Sequence, residues 1–327
     1  MTEDQADAPV GTHRRHPGGG DPVEFRTGAA GGPGGHDGPV ASEGRPEAAG
    51  DAPAGRRPRV WLITGASRGI GRALAELARE RGDAVVAGYR DLGDVEVAPD
   101  MVPVRLDVTS PADCAGAVAT AHDAFGHLDV VANVAGVGLV GAVEETATDQ
   151  ARELFEVNFW GVANLLEAAL PVLRGQRSGH VLQVSSLSGR VAAPGVGYYA
   201  ASKFALEGLS EALHAEIDPL GVRLTIIEPG GVRTDWAGSS LWSAPRELAD
   251  YEVSAGATRR LLGAVDGSQP NLPEEVAETI MGIVEAPNPP RRVAATADAQ
   301  ERIGAYLDAE RASLAAWTPG APVGGAS

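Results

Sequence analysis

Beyond residue 57 the chain alternates short apolar runs with longer segments whose apolar residues recur at helical spacing. The runs are apolar at consecutive positions, which is typical of strands buried on both faces of a parallel sheet. They predict strands near residues 59–64, 84–89, 102–106, 128–133, 180–185, 222–228 and 291–294. The helical spacing predicts helices near residues 69–81, 111–125, 148–173, 198–219, 273–286 and 297–316. This alternation predicts a single-domain α/β fold, a doubly wound parallel sheet of about seven strands with helices on both faces.

Three segments fall outside this alternation. Residues 1–57 contain 13 Gly and 7 Pro but no Leu or Ile, so they bury too little apolar surface to offset their ordering entropy. We therefore predict a disordered tail there, a folded domain over residues 58–317 and a flexible C-terminal tail over residues 318–327. Residues 235–272 interrupt the strand and helix alternation inside the domain.

Charge and composition exclude several classes of partner. The net charge of −17 disfavours nucleic acid and anionic membrane surfaces. No apolar run approaches the length that crosses a bilayer, so we expect no membrane association. The single cysteine, Cys114, rules out an intrachain disulfide framework and suits a reducing cytoplasm, which is the location that we expect. The histidines show no paired ligand spacing, so we expect no catalytic metal.

A glycine-rich loop joins the first predicted strand to the first predicted helix. It runs from Gly65 to Gly71 with the sequence GASRGIG. Glycines let the backbone turn tightly and approach a pyrophosphate, and the free N–H groups at a helix start favour an anion. In the order strand, glycine loop, helix, this spacing predicts a dinucleotide-binding site.

A second motif provides candidate acid–base chemistry. Tyr199 and Lys203 are four residues apart in a predicted helix, so they share one face, and Ser186 precedes the tyrosine by thirteen residues. Because a nearby positive charge favours the phenolate, we expect Lys203 to lower the Tyr199 pKa from about 10. Tyr199 is then a candidate general acid and base for an alcohol oxygen. The neighbouring Tyr198 has Ser202, not a lysine, one turn further on.

Other motifs follow the later strands in a fixed order. They are Asp107-Val108, Asn133-Val134-Ala135-Gly136, Asn158, Ser185-Ser186 and Pro229-Gly230 with Thr234. With the glycine loop and the Tyr199/Lys203 pair, the ordered set resembles the short-chain dehydrogenase/reductase family over roughly residues 58–295. One position departs from the family pattern, since Val134 stands where the family has a second asparagine. We expect this change to be tolerated, because Ala135 and Gly136 are retained.

The resemblance implies a Rossmann-type fold and a hydride transfer between a nicotinamide cofactor and a ketone or secondary alcohol, with ketoreductase activity expected. It implies that Tyr199 moves the proton, that Ser186 stabilises the carbonyl oxygen, and that Asn158 holds a water that links Lys203 to solvent. The implied cofactor-binding residues are Gly65, Ser67, Arg68, Gly69, Ile70, Gly71, Arg90, Asp107, Val108, Asn133, Ala135, Gly136, Tyr199, Lys203, Pro229, Gly230, Val232 and Thr234. Two alternatives remain: a sensor that binds the nucleotide without turnover, and a lyase, isomerase or dehalogenase on the same scaffold.

The same resemblance bears on the cofactor, the lid and the assembly. Family members that prefer NAD(H) tend to carry an acid where Tyr89 stands, whereas Arg90 and Arg68 are suited to the 2′-phosphate of NADP(H). We therefore expect NADP(H) rather than NAD(H), although Asp91 and Asp94 lie near that phosphate site. Residues 235–272 are expected to form a substrate lid, or alternatively a helical connector. The expected partners are a small carbonyl or alcohol substrate and further copies of the chain, as a homodimer or homotetramer.

Overall fold

The computed structural model describes residues 57–93, 98 and 101–316. The predicted N-terminal tail, apart from residue 57, and the predicted C-terminal tail lie outside these residues. Within the described part of the chain, no helix is both long enough and apolar enough to cross a bilayer.

Seven parallel strands form the main sheet, and their buried, β-branched sequences explain why these segments are extended. The strands are β1 (Val60–Ile63), β2 (Ala84–Tyr89), β3 (Met101–Arg105), β4 (Val130–Asn133), β6 (Gly179–Val184), β7 (Val222–Glu228) and β9 (Arg292–Ala294). Their order across the sheet is β3-β2-β1-β4-β6-β7-β9. The order reverses between β1 and β4, and open parallel sheets bind ligands at the carboxyl ends of the strands beside such a reversal.

Helices cover both faces of the sheet, as predicted. They are α1 (Gly69–Glu80), α2 (Pro111–Phe125), α3 (Thr148–Phe155), α4 (Gly161–Gln176), α5 (Gly197–Ile217), α6 (Ala257–Val265), α7 (Pro273–Glu285) and α8 (Ala297–Ala316). One apolar cluster joins alternate strand residues to α1 and α7, and a second joins the other residues to α2, α4 and α5. This two-sided core is that of a Rossmann-type, doubly wound fold.

One predicted helix is divided in the structure. The segment predicted as a single helix over residues 148–173 contains α3, a π-helical turn at Glu156–Trp160, and α4, which continues to Gln176. A π turn adds one residue to a helical turn, which changes the direction of the side chains around it, and such turns often occur at functional sites. Apolar periodicity does not reveal it, because the segments on either side are both helical.

A small second sheet connects the predicted lid to the body of the domain. Its two parallel strands are β5 (Gly138–Val140) and β8 (Leu241–Ser243). The lid segment also closes on itself, because Val232 forms a β-bridge with Asn271, and the Asn271 side-chain amide donates to Gly231 O at 2.7 Å. The two ends of the segment are therefore held side by side, and the segment contains α6.

Candidate active site

The glycine loop adopts a backbone that only small residues allow. Gly65 has φ +68° and Gly69 has φ +56°, which lie in the left-handed region that favours glycine. At Gly71, which opens α1, an added Cβ would lie 2.2 Å from Gly65 O. The loop therefore has a cradle that a side chain would fill, immediately before a helix N-terminus, and this arrangement fits a pyrophosphate.

This loop touches the two segments that were predicted to contact the same cofactor. A Cβ added to Gly65 would lie 3.1 Å from Ala135 Cα, after β4. A Cβ added to Gly69 would lie 3.0 Å from Thr234 Cγ2, after β7. Sequence motifs that are far apart along the chain thus meet at the carboxyl end of the sheet.

Thr64 explains why the valine at position 134 is compatible with the loop. The Thr64 hydroxyl accepts hydrogen bonds from the backbone N–H groups of Val134 and Ala135 at 2.9 and 3.0 Å. These bonds hold the segment after β4 through its backbone, so the side chain at position 134 takes no part in them. The adjacent Asn133 is buried, and its Nδ2 has no hydrogen-bond partner among the described residues.

The proposed acid–base pair meets Ser186 across two elements. Tyr199 lies in the first turn of α5, and Ser186 is the second residue after β6. The Ser186 side chain is close enough to the Tyr199 phenol to lower its pKa, and its hydroxyl accepts from Ser188 N at 3.0 Å. The two hydroxyls thus lie at one point, where a carbonyl oxygen could contact both of them.

The Tyr199 pKa differs from the sequence-based expectation. Burial raises the pKa of Tyr199 to about 12, and the hydrogen bond from Ser186 lowers it by less. The prediction that Lys203 lowers this pKa is wrong for this structure, because desolvation of the phenolate outweighs the stabilisation by its neighbours. At neutral pH the phenol therefore keeps its proton.

Lys203 and Asn158 form the base of the site. The Lys203 Nζ donates to Val184 O at 2.9 Å, and burial lowers the pKa of this lysine to about 8, although Glu207 opposes the shift. Asn158 lies in the π turn, where its amide exchanges hydrogen bonds of 2.9 Å with the backbone of Val137. A Cβ added to Gly136 would lie 3.3 Å from Asn158 Oδ1 and 3.6 Å from Lys203 Nζ, so these three residues are neighbours.

The residues predicted to distinguish the two cofactors have different surroundings. Arg90 is exposed and interacts electrostatically with Asp107, whose pKa is lowered chiefly by a hydrogen bond from Thr109. Arg68 instead donates to the lid hydroxyls of Ser239 and Ser240, both at 2.7 Å. A contact between Arg68 and a phosphate stays a prediction.

Three further predicted cofactor residues line or flank this region. Ser67 is exposed in the glycine loop, whereas Ile70 is half-buried and packs against the core beside α1. Val108 is buried in the core, where a Cβ added to Gly161 would lie 2.6 Å from its Cγ2. Val108 could therefore contact a cofactor only through its backbone, and its carbonyl already accepts from Asn164 at 3.0 Å.

The turn after β7 depends on a residue that sequence reasoning missed. Asp298, at the start of α8, accepts from Gly231 N at 2.9 Å and from Asn271 Nδ2 at 2.9 Å. A Cβ added to Gly230 would lie 2.1 Å from the Asp298 carboxylate. Asp298 thus shapes the segment that begins at Pro229 and includes Val232. The available signal was an acid in the first turn of the last predicted helix.

Tyr199 packs among apolar and aromatic side chains. Tyr199 belongs to a small cluster, separate from the two main ones, that includes Trp236 and Trp242 from the lid. The other members are Val137, Leu139, Leu154, Ala193, Val196, Tyr198 and Leu262. Elsewhere in the described residues, no group of His, Cys, Asp and Glu is arranged to hold a metal ion.

A buried glutamate fixes the lid against the domain. Glu145 accepts from the backbone N–H groups of Ala142 and Leu248, both at 2.8 Å, and from Arg259 in α6 at 2.9 Å. These hydrogen bonds hold the pKa of Glu145 below its usual value. These contacts hold the segment against the domain, and its role as a substrate lid stays a prediction.

Comparison with known proteins agrees with this geometry. The family model described as short chain dehydrogenase matches residues 59–242. The chain is 38% identical over 265 residues to the Oxidoreductase BOA17 of Botryotinia fuckeliana, and the match covers 79% of this chain and 96% of that protein. The chain therefore belongs to the short-chain dehydrogenase/reductase family, and it is an oxidoreductase of that family with a nicotinamide dinucleotide as its cofactor.

Solved structures of similar proteins share the fold. A short-chain dehydrogenase from Streptomyces avermitilis is 37% identical with a TM-score of 0.74, covering 80% of this chain and 97% of that one. A relative from Burkholderia phymatum in complex with NAD is 26% identical with a TM-score of 0.68, covering 82% and 98%. Another from Burkholderia cenocepacia in complex with NADP is 29% identical with a TM-score of 0.63, covering 80% and 99%. Both cofactors therefore occur among structures similar to this chain.

Proposed function

We propose that this oxidoreductase is a ketoreductase that transfers a hydride between NADP(H) and an apolar ketone or the matching secondary alcohol. The observation that carries the proposal is the placement of the Ser186 side chain beside the Tyr199 phenol, within an apolar cluster that includes two lid tryptophans. Two hydroxyls in an apolar space suit a neutral carbonyl group, whose oxygen they would hydrogen-bond.

The residues divide the reaction between them. The bound nicotinamide would supply or accept the hydride. Tyr199, protonated at neutral pH because its pKa is about 12, would donate its proton to the alkoxide oxygen that forms in reduction. Ser186 would donate a hydrogen bond to the same oxygen as its negative charge develops. Lys203, fixed by Val184 O, would bind the nicotinamide ribose beneath them.

The preference for NADP(H) rests on Arg90 together with Tyr89. Tyr89 ends β2 and is buried, so no carboxylate stands where a ribose diol would need an acceptor. Arg90 follows it at the surface, where its guanidinium could pair with a 2′-phosphate. Asp91, whose charge would repel that phosphate, instead accepts from the backbone N–H of Gly93 at 3.0 Å through its Oδ1.

The test is consumption of NADPH and of NADH with a panel of ketones, aldehydes and quinones. We expect turnover with apolar ketones, faster with NADPH, and loss of turnover in Tyr199→Phe with cofactor binding retained. Tyr198→Phe is the matched control, since it removes a neighbouring hydroxyl that has no lysine one turn further on. Full activity in Tyr199→Phe would contradict the mechanism, and tight NADPH binding without turnover would support a nucleotide sensor instead.

A further inference from the structure

Lys203 is the only lysine of the chain, and its surroundings do not favour a charge. Its exposed fraction is 4%, and Val184 O is the hydrogen-bond acceptor of its Nζ. A lysine removed from water tends to lose its proton, because the ammonium is far better solvated by water than by a protein interior. Another group must therefore offset this cost if Lys203 is to act as a cation at neutral pH.

Glu207 is placed to offset it. It lies one turn after Lys203 on the same face of α5, and its exposed fraction is 5%. It raises the pKa of Lys203, opposing the effect of burial. Its Oε2 accepts from Arg292 Nε and Nη2 at 3.0 and 2.7 Å, whereas its Oε1 is buried without a hydrogen-bond partner among the described residues. Arg292 thus engages one oxygen, and the other stays unpaired inside the domain.

A second buried carboxylate shares the same arginine. Glu228, at the end of β7, lies 2.9 Å from Arg292 Nε and accepts from Arg190 at 3.2 Å. Burial, followed by repulsion from Glu207, raises the pKa of Glu228 to about 7. Near neutral pH, Glu228 is therefore the carboxyl of this cluster that takes up a proton. Glu207 instead accepts two hydrogen bonds from Arg292 at one oxygen.

Space for this arrangement depends on a glycine. A Cβ added to Gly189 would lie 3.0 Å from Glu207 Oε1 and 2.5 Å from the Ser185 hydroxyl. The 3-10 turn after β6 can therefore pass over the unpaired carboxylate oxygen only because residue 189 has no side chain. The same turn begins at Ser186, so Glu207 and the reacting hydroxyls are packed against one short segment.

We propose that Glu207 is a positioning residue: its buried carboxylate, one turn below Lys203, keeps that side chain an ammonium, and Arg292 holds Glu207 in place from the edge of the sheet. The inference rests on the proposed function only for its kinetic consequence. The charge state of Lys203 can be measured in the protein without any substrate.

Other charged groups around α5 are arranged so that few can replace Glu207. Those facing it are Tyr199 and Glu211 on α5, Arg190 after the 3-10 turn, Glu228 on β7 and Arg292 on β9. The remaining charged side chains on the elements packed against α5 are exposed; they are Asp149, Arg152, Glu153, Glu156, Asp218 and Arg223. Glu211 also pairs with Arg292, at 3.0 Å, but it is exposed at the surface.

The single lysine makes the test direct. The full-length protein is produced with ¹³C,¹⁵N-lysine, so that one side-chain resonance reports the protonation of Lys203 as the pH is varied. We expect the Lys203 pKa near 8 in the natural protein and lower by about 0.5–1 unit in Glu207→Gln. Glu211→Gln is the matched control, because it removes another carboxylate partner of Arg292 from the same helix, and we expect no change there.

An unchanged Lys203 pKa in Glu207→Gln, or equal shifts in both variants, would overturn the proposal. If Glu207→Gln does not fold, the test is made with Glu207→Asp. This variant withdraws the carboxylate by one methylene, so the Lys203 pKa should fall by a smaller amount. An unchanged Lys203 pKa in Glu207→Asp would overturn the proposal. Once a substrate is known, the alkaline limb of the kcat profile should move down by the shift seen in the titration. The titration stands even if the proposed ketone reduction fails.

Discussion

The ring of Trp236 lies against the ring of Tyr199, with centroids 4.9 Å apart and planes inclined at 54°. Trp236 comes from the predicted lid, and Tyr199 carries the hydroxyl that we propose to react. The indole also lies over Gly138 of β5, where an added Cβ would be 2.7 Å from its Cζ2. The position of the lid and the solvation of the catalytic phenol are therefore coupled through one side chain.

Replacing Trp236 by alanine should lower both the kcat/KM for apolar ketones and the pKa of Tyr199. The aromatic contact contributes about 0.5–1.5 kcal/mol beyond its buried area, so kcat/KM for apolar ketones should fall by roughly tenfold. Because water then reaches the phenol, the Tyr199 pKa should fall below about 12. Steady-state kinetics and the pH profile of alcohol oxidation measure the two effects.

Trp242→Ala is the control for this substitution. Trp242 belongs to the same apolar cluster, but it makes no ring contact with Tyr199 among the described residues. Trp242→Ala should reduce kcat/KM for apolar substrates but should not shift the pH profile of alcohol oxidation. Identical pH profiles for Trp236→Ala and the natural protein would show that the indole does not desolvate the phenol.

The rate of alcohol oxidation should depend steeply on pH. Oxidation needs the phenolate, and at any pH well below about 12 the fraction of phenolate rises tenfold per unit. The rise should flatten above about pH 8, where Lys203 loses its charge. Ketone reduction needs the protonated phenol and should lack this rise.

Replacing Ser186 by alanine should move the oxidation profile. The Ser186 hydrogen bond lowers the Tyr199 pKa, so its removal should shift the profile to higher pH. The loss of a donor to the developing oxyanion should also lower kcat by roughly 10²–10³-fold. Ser185→Ala is the control, because the Ser185 hydroxyl has no hydrogen-bond partner among the described residues. Equal losses in the two variants would argue against a specific role for Ser186.

Removing Arg68 or Arg90 should weaken NADPH binding, but only the removal of Arg68 should also loosen the lid. Each alanine variant should weaken NADPH binding by roughly tenfold, because each removes a cation suited to the 2′-phosphate, and should leave NADH binding nearly unchanged. Only Arg68→Ala should also loosen the lid, since Arg68 donates to Ser239 and Ser240. Fluorescence titrations with the two cofactors and hydrogen exchange of residues 238–243 measure these effects. Equal weakening of NADPH and NADH would count against a phosphate role.

Two glycine-to-alanine substitutions should change the free energy of unfolding in opposite directions. Gly71→Ala places a Cβ 2.2 Å from Gly65 O, so the loop must shift, and the free energy of unfolding should fall by about 1–3 kcal/mol. Gly116→Ala, on the exposed side of α2, meets nothing within 4 Å and should raise it by about 0.5–1 kcal/mol. Thermal unfolding with and without cofactor would compare them; a stable Gly71→Ala variant that binds cofactor normally would contradict the proposed cradle.

Many of the strands and helices could be predicted from the sequence, because each depends on the pattern of residues within its own segment. β2 and β7 were predicted with the bounds that the structure has, since both are short, mainly apolar runs bounded by turn residues. The candidate site followed from them, because motifs after parallel strands meet at one edge of the sheet. The shorter β5 and β8 were not predicted. Each has three residues, and each is extended only because the other lies beside it.

The electrostatic character of the site was harder to predict from the sequence. The spacing of Tyr199 and Lys203 indicates that they are neighbours, but the pKa of the phenol depends on burial, to which Trp236 contributes from the lid. Likewise, nothing local shows that Glu207 and Glu228 share Arg292, because they come from a helix and two strands. Contacts of this kind exist only after the chain has folded.

The closed ends of the lid have a consequence for how this scaffold could be diversified. Because Val232 and Asn271 are bridged, residues 235–270 can be exchanged as a cassette that leaves Thr234 in place and does not redirect the chain on either side. Doubling the length of such a loop costs only about 0.6 kcal/mol in closure entropy. Grafted segments of different length should therefore fold on the same domain, and new substrate ranges could be selected while the hydride-transfer residues remain untouched.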